Sequence, residues 1–148
     1  MDRNNGGIGA ECEDRRGSES NSYSIKFEPY KDEPVKLPPD VQEFVDRQSN
    51  DILSHDIVKI MANYSDKYLN SGIRKGEVER NWRQSIGSIT SIKDTITQFV
   101  PAGDRAYLTG FGIFNIFNDI VTMPNPQTSI IKENGEWKWY GNQRDVVP

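Results

Sequence analysis

Thr128-Ser-Ile-Ile-Lys-Glu-Asn134-Gly135-Glu-Trp137-Lys-Trp139-Tyr140-Gly141 reads as a closing β-hairpin. An Asn-Gly pair supplies the two positive-φ positions of a type I′ turn, which sets the register. Glu133 faces Glu136, Lys132 faces Trp137, Ile131 faces Lys138 and Ile130 faces Trp139. Ile130, Trp137 and Trp139 therefore share one face. Two indoles side by side on a pleated sheet need a large apolar surface to cover them, and upstream helices are the available cover.

Those helices are legible as periodic runs. After Pro38-Pro39, Asp40 with Glu43 three residues on matches a capping box, and Val41, Phe44, Val45 and Ile52 fall on one face, so a helix is predicted from about Pro39 to Ser54. Asp56 is the predicted cap of a second helix in which Ile57, Ile60, Met61, Tyr64 and Tyr68 recur at helical spacing up to Asn70-Ser71-Gly72. A shorter third helix, from about Gly76 to Ile86, aligns Val78, Trp82 and Ile86, and Gly87 ends it.

From Ser88 the composition shifts to β-branched residues, and a strand runs to Val100. Pro101-Ala102-Gly103-Asp104 turns the chain into a long strand, Ala106 to Phe117. Gly110 and Gly112, on one face of it, predict a bend or a close approach by another element. Asn118-Asp119 turns again, and Met123-Pro-Asn-Pro126 is expected as an irregular connection to the final hairpin. Apolar residues on both faces of the long strand, Tyr107, Phe111, Ile113 and Phe117 against Leu108 and Phe114, predict a homodimer through the open sheet face.

The remainder is polar. Residues 1–36 are expected to be a disordered tail or linker, with the alternating run Tyr23 to Tyr30 as its one sticky segment, and 37–148 a single domain. Net charge is −4 with no basic stripe, which argues against nucleic acid as a partner. No run approaches the roughly 18 apolar residues of a membrane span. The reading is a soluble chain, cytoplasmic or exported, or the excised part of a longer one. Cys12 and His55, one of each type and far apart in sequence, build no metal site, and Gly6-Gly7-Ile8-Gly9 lacks the strand that precedes a phosphate loop, so no cofactor is expected.

Helix, helix, short helix and then a meandering sheet make an α+β cone, a curved antiparallel sheet packed against about three N-terminal helices. This resembles the nuclear transport factor 2-like superfamily, also called SnoaL-like or cystatin-like. The resemblance is carried by Asp56 to Gly72, Gly103 to Leu108 and Asn134 to Gly141, within residues 40–143. It implies a pocket between helices and sheet, and enzymes of the superfamily use a carboxylate as general base, sometimes with a tyrosine or a second acid holding an enolate.

Tyr64, Tyr68, Trp82, Phe114, Trp137 and Trp139 are the aromatic candidates for the lining of such a pocket. Of these, Tyr64, Tyr68, Trp82 and Trp139 converge from two helices and the hairpin as expected ligand-binding residues. Asp66 is expected to face away from them, and Asp94 and Asp119 carry no local partner signature, so no catalytic residue is assigned. The reading is a non-catalytic small-ligand-binding or assembly module with an apolar pocket for a small apolar ligand. The alternative is a small SnoaL-like isomerase, dehydratase or hydrolase using a buried carboxylate and tyrosine.

Overall fold

Three helices lie against one face of a curved four-stranded antiparallel sheet in the computed structural model, which describes residues 33–146. Helix α1 spans Pro39–Leu53 and buries Val41, Phe44, Val45, Gln48 and Ile52 along one stripe. Pro39 opens it, where a missing N–H costs nothing. Asp40, expected to cap α1, instead sits inside its first turn. Trp137 Nε1 donates to Asp40 Oδ2 at 2.8 Å and Lys132 Nζ does so at 3.1 Å, which fastens the helix start to the hairpin.

Asp56 caps α2 as read, accepting from the Val58 and Lys59 amides, but α2 covers only Ile57–Met61 rather than running to Gly72. Tertiary hydrogen bonds override the periodicity beyond that point. The Trp139 amide donates to Asn63 O at 2.8 Å and the Ser65 amide donates to Trp139 O at 2.9 Å, so this backbone lies beside the hairpin instead of coiling. Strands β1 (Leu69–Asn70) and β2 (Ile73–Arg74) then form a small ribbon. Helix α3, Lys75–Ser85, follows and passes through a short 3₁₀ turn, Ile86–Ser88.

The sheet is β3 (Ile89–Ala102), β4 (Arg105–Ile116), β5 (Asp119–Glu133) and β6 (Glu136–Trp139), in that spatial order. Its last hairpin has the expected register at all four pairs, with Asn134 at φ 53° and Gly135 at φ 82° in the turn. Met123 to Pro126 is not a connection but part of β5, whose pairing with β4 skips between Thr128 and Asn125. Among the described residues, β6 pairs only with Ile130 to Glu133, so this stretch of β5 has no strand beside it there, and proline is tolerated. Gly110 shows why a glycine is needed opposite the β3 irregularity at Ile96 to Gln98. A Cβ there would stand 2.1 Å from the Thr95 carbonyl oxygen.

Two core clusters result. Phe44, Val41, Ile96, Leu108, Ile130 and Trp137 pack between the start of α1 and the hairpin, with the Phe44 and Trp139 rings meeting edge to face at 5.1 Å. Ile52, Ile60, Met61, Val78, Ile89 and Phe114 pack at the other end, beneath α2 and α3. Among the described residues, no helix is long and apolar enough to cross a membrane. The run Tyr23 to Tyr30, Cys12 and the glycines at 6, 7 and 9 lie outside the described residues. At the start of the described chain, the Val35 amide donates to Ile96 O at 2.9 Å.

Candidate functional site

The second cluster surrounds a cavity of about 330 Å³. Tyr64, Tyr68, Trp82, Phe114 and Trp139 all border it, although Tyr64 and Tyr68 arrive from the turns after α2 rather than from a helix. Trp137 does not. Its ring packs in the other cluster and its N–H is committed to Asp40. The Tyr64 and Tyr68 rings meet edge to face at 5.2 Å, and Trp82 Nε1 donates to Tyr64 Oη at 3.1 Å. That bond fixes the phenol oxygen as acceptor, and among the described residues the Tyr64 hydroxyl donates to none. Burial pushes the Tyr64 phenol well above the ordinary tyrosine range, against the Trp82 hydrogen bond, so it stays a protonated donor. Burial raises Tyr68 as well.

Asp94, which carries no local partner signature in the sequence, also lines this cavity. It pairs with Gly112 across β3 and β4. Ser49 Oγ donates to Asp94 Oδ2 at 2.9 Å, and Gln48 Nε2 donates to the same oxygen. Oδ1 receives no donor among the described residues. It lies 3.0 Å from where a Cβ on Gly112 would stand, so the missing side chain makes room for it. Burial raises the Asp94 carboxyl above the ordinary aspartate range, partly offset by the bonds from Ser49 and Gln48. The result is a carboxylate anchored through one oxygen, with no donor on the other among the described residues, in the wall of a largely apolar cavity.

A sequence signal for this pair existed. Gln48 is four residues from both Phe44 and Ile52, on the apolar stripe of α1, and Asp94 sits two residues from both Ile92 and Ile96 on β3. Each is a polar interruption of an inward-facing row, and the two interruptions meet. The other acids stand elsewhere. Asp66 is exposed beside Lys75 Nζ at 2.8 Å, whose hydrogen bond and charge lower its carboxyl, and Asp119 is exposed at the start of β5. His55 is exposed with φ 61°, its Nε2 2.7 Å from Ile89 O. Among the described residues, no three His, Cys, Asp or Glu side chains gather as a metal site.

No protein-family model and no curated protein matches the sequence. Solved structures do. An NTF2-like protein of unknown function from Shewanella oneidensis aligns over 69% of this chain and 93% of its own, with 16% identity and a TM-score of 0.57. The fold is that of the nuclear transport factor 2-like proteins. A second NTF2-like protein of unknown function, from Pseudomonas putida, aligns over 68% of this chain and 80% of its own, at 18% identity and a TM-score of 0.53. A ketosteroid isomerase-like protein from Erwinia carotovora covers 69% of this chain and 89% of its own, at 14% identity and a TM-score of 0.51. At such identities the nuclear transport factor 2-like likeness is one of fold, and function rests on the site itself.

Proposed function

We propose that the cavity accepts a small, largely apolar carbonyl compound and that Asp94 moves a proton on it. The observation that carries this reading is the Asp94 carboxylate, held through Oδ2 by α1, with no donor at Oδ1 among the described residues, in the wall of a largely apolar pocket that it shares with Tyr64. A base in such a place is stronger than a solvated aspartate, because burial disfavours its ionised form. Oδ1 takes a proton from the carbon beside the carbonyl, the electron pair of that C–H bond forms a C=C bond to the carbonyl carbon, and the carbonyl π pair moves onto the oxygen. The Tyr64 hydroxyl, its own oxygen already bonded by Trp82, donates to that oxygen as negative charge develops. Where a C=C lies next to the carbon that lost the proton, Asp94 returns the proton to the far carbon of that bond. The carbonyl re-forms and the double bond has moved, which is isomerisation. Tyr68, Trp82 and Trp139 supply the apolar walls that position the substrate. The ketosteroid isomerase-like neighbour is consistent with such chemistry on this fold.

A second reading, ligand binding without turnover, is favoured by one contact. The same Oδ2 bonds join β3 to α1, which is a sufficient structural reason for an aspartate here. Deuterium exchange separates the two. A panel of enolisable ketones followed by proton NMR in D₂O should lose α-proton signal with the wild-type chain, and Asp94→Asn should slow this by roughly a hundredfold or more. Binding of 2-naphthol, an enolate mimic, should survive that substitution. Binding by the wild-type chain without exchange of any ketone would leave the module reading.

The outer sheet face supports the proposed homodimer. Ile113 and Ile120 are exposed there, and Phe117 stands exposed at the β4–β5 turn, more apolar surface than a lone sheet face needs. Light scattering at high micromolar concentration should give twice the chain mass, and Ile113→Lys should return a monomer. A monomeric wild-type chain would remove the idea.

A further inference from the structure

A second cavity, of about 370 Å³, shares Asn125 and Thr128 with the first, but its chemistry is different. Its walls come from the β1–β2 turn, the outer face of β4, the β5 irregularity and the segment after β6, and none of the lining residues is acidic. Arg144 lines it, with neither an ion pair nor a side-chain hydrogen bond among the described residues. Behind its Tyr107 wall stands Arg105, whose guanidinium donates to Tyr107 Oη at 3.0 Å and lies 5.5 Å from the Tyr107 ring centre and 5.1 Å from that of Tyr140. Arg105 has no carboxylate partner among the described residues either, and its Nε is buried without an acceptor. One lining guanidinium and one behind the wall, neither ion-paired among the described residues, favour a negatively charged occupant.

The wall also carries unused hydrogen-bonding capacity. The Asn125 and Gln127 amides and the Thr128 hydroxyl have no side-chain partner among the described residues, and Thr128 is only 5% exposed. Thr128 is buried, Asn125 half-buried and Gln127 exposed, and together they present donors and acceptors without a side-chain partner among the described residues on one concave surface. The frame is fixed in advance. Asn142 Oδ1 accepts from the Ser71 amide at 2.9 Å and the Arg144 amide at 3.0 Å, while its Nδ2 donates to Ser71 Oγ at 2.9 Å.

We propose that this cavity binds a small hydroxylated carboxylate, with Arg144 pairing the carboxylate and Asn125, Gln127 and Thr128 addressing the hydroxyls. Uronic acids are the simplest members of that class. One lining guanidinium suits a singly charged, planar carboxylate, which it grips through two parallel N–H bonds. The proposal stands apart from the proton chemistry of Asp94 and survives its failure.

Amide NMR of the full chain titrated with glucuronate, glucose and inorganic phosphate tests it. Glucuronate should shift the Ser71, Gln127 and Arg144 amides saturably, with glucose weaker by roughly tenfold or more. Arg144→Gln should lose a similar factor, whereas Arg74→Gln, at an exposed arginine paired with Asp145, should bind as wild type. Arg144 has no side-chain partner to lose, so its variant should keep the dispersed spectrum of the folded chain. Absence of saturable shifts, equal affinity in Arg144→Gln, or phosphate binding as tightly as glucuronate would each overturn the assignment.

Discussion

At the hairpin end of the sheet, Phe44, Leu108 and Ile130 are enclosed on all sides, and a carboxylate beside them, Asp40, is ion-paired at the surface. At the other end, larger side chains, Tyr64, Tyr68 and Trp82, stand around open volume, and a carboxylate without an ion pair among the described residues, Asp94, forms part of the wall. The same strands β3 to β5 run through both ends. What differs is whether the helix above is held close. Asp40, Trp137 and Lys132 bind the start of α1 to the hairpin, whereas the short α2 and the ribbon β1–β2 leave space beneath α3. One end makes the fold stable, and that stability can carry a poorly solvated acid at the other.

The largest test of this contrast is truncation. Phe44→Ala should cost about 3 to 5 kcal/mol in urea unfolding, since it empties a filled space. Tyr68→Ala, whose ring already borders a void, should cost about 1 to 3 kcal/mol. Equal losses would mean that the two ends are packed alike.

The packed end was readable because local signals agreed there. The Asn-Gly turn, the alternation of Ile130, Trp137 and Trp139 and the stripe of α1 all point to one arrangement. The cavity end was readable only in part. Tyr64 and Tyr68 were found at helical spacing, yet the helix stops at Met61, because the bonds that Asn63 accepts from β6 and Ser65 donates to it cannot be seen in a local window. Asp94 was missed for a similar reason. Its meaning depends on Gln48, Ser49 and Gly112, which are distant in sequence and adjacent only in the folded chain.

A smaller effect separates the two carboxyls by sign. The Trp137 and Lys132 hydrogen bonds lower Asp40, so its contribution is in place above the ordinary aspartate range, about 3.9, and is lost as pH falls through its lowered value. Asp94 is raised by burial, so stability declines as pH rises from that range through its raised value. Asp40→Asn should therefore lower urea midpoints near neutrality, while Asp94→Asn should gain about 1 kcal/mol there. A loss in Asp94→Asn would show that its bonds to α1 outweigh the burial of its charge. The smallest expected change sharpens the hairpin reading. Lys138→Ala, opposite Ile131 on the face away from Trp139, should stay within about 0.5 kcal/mol of wild type.

Carboxyl carbon NMR of a selectively labelled chain, titrated from pH 2 to 8 with Asp94→Asn as the assignment control, reads both ends in one experiment. Asp94 should titrate above about 3.9 and Asp40 below it. An Asp94 signal that titrates at or below the ordinary aspartate range would contradict a poised base in the cavity.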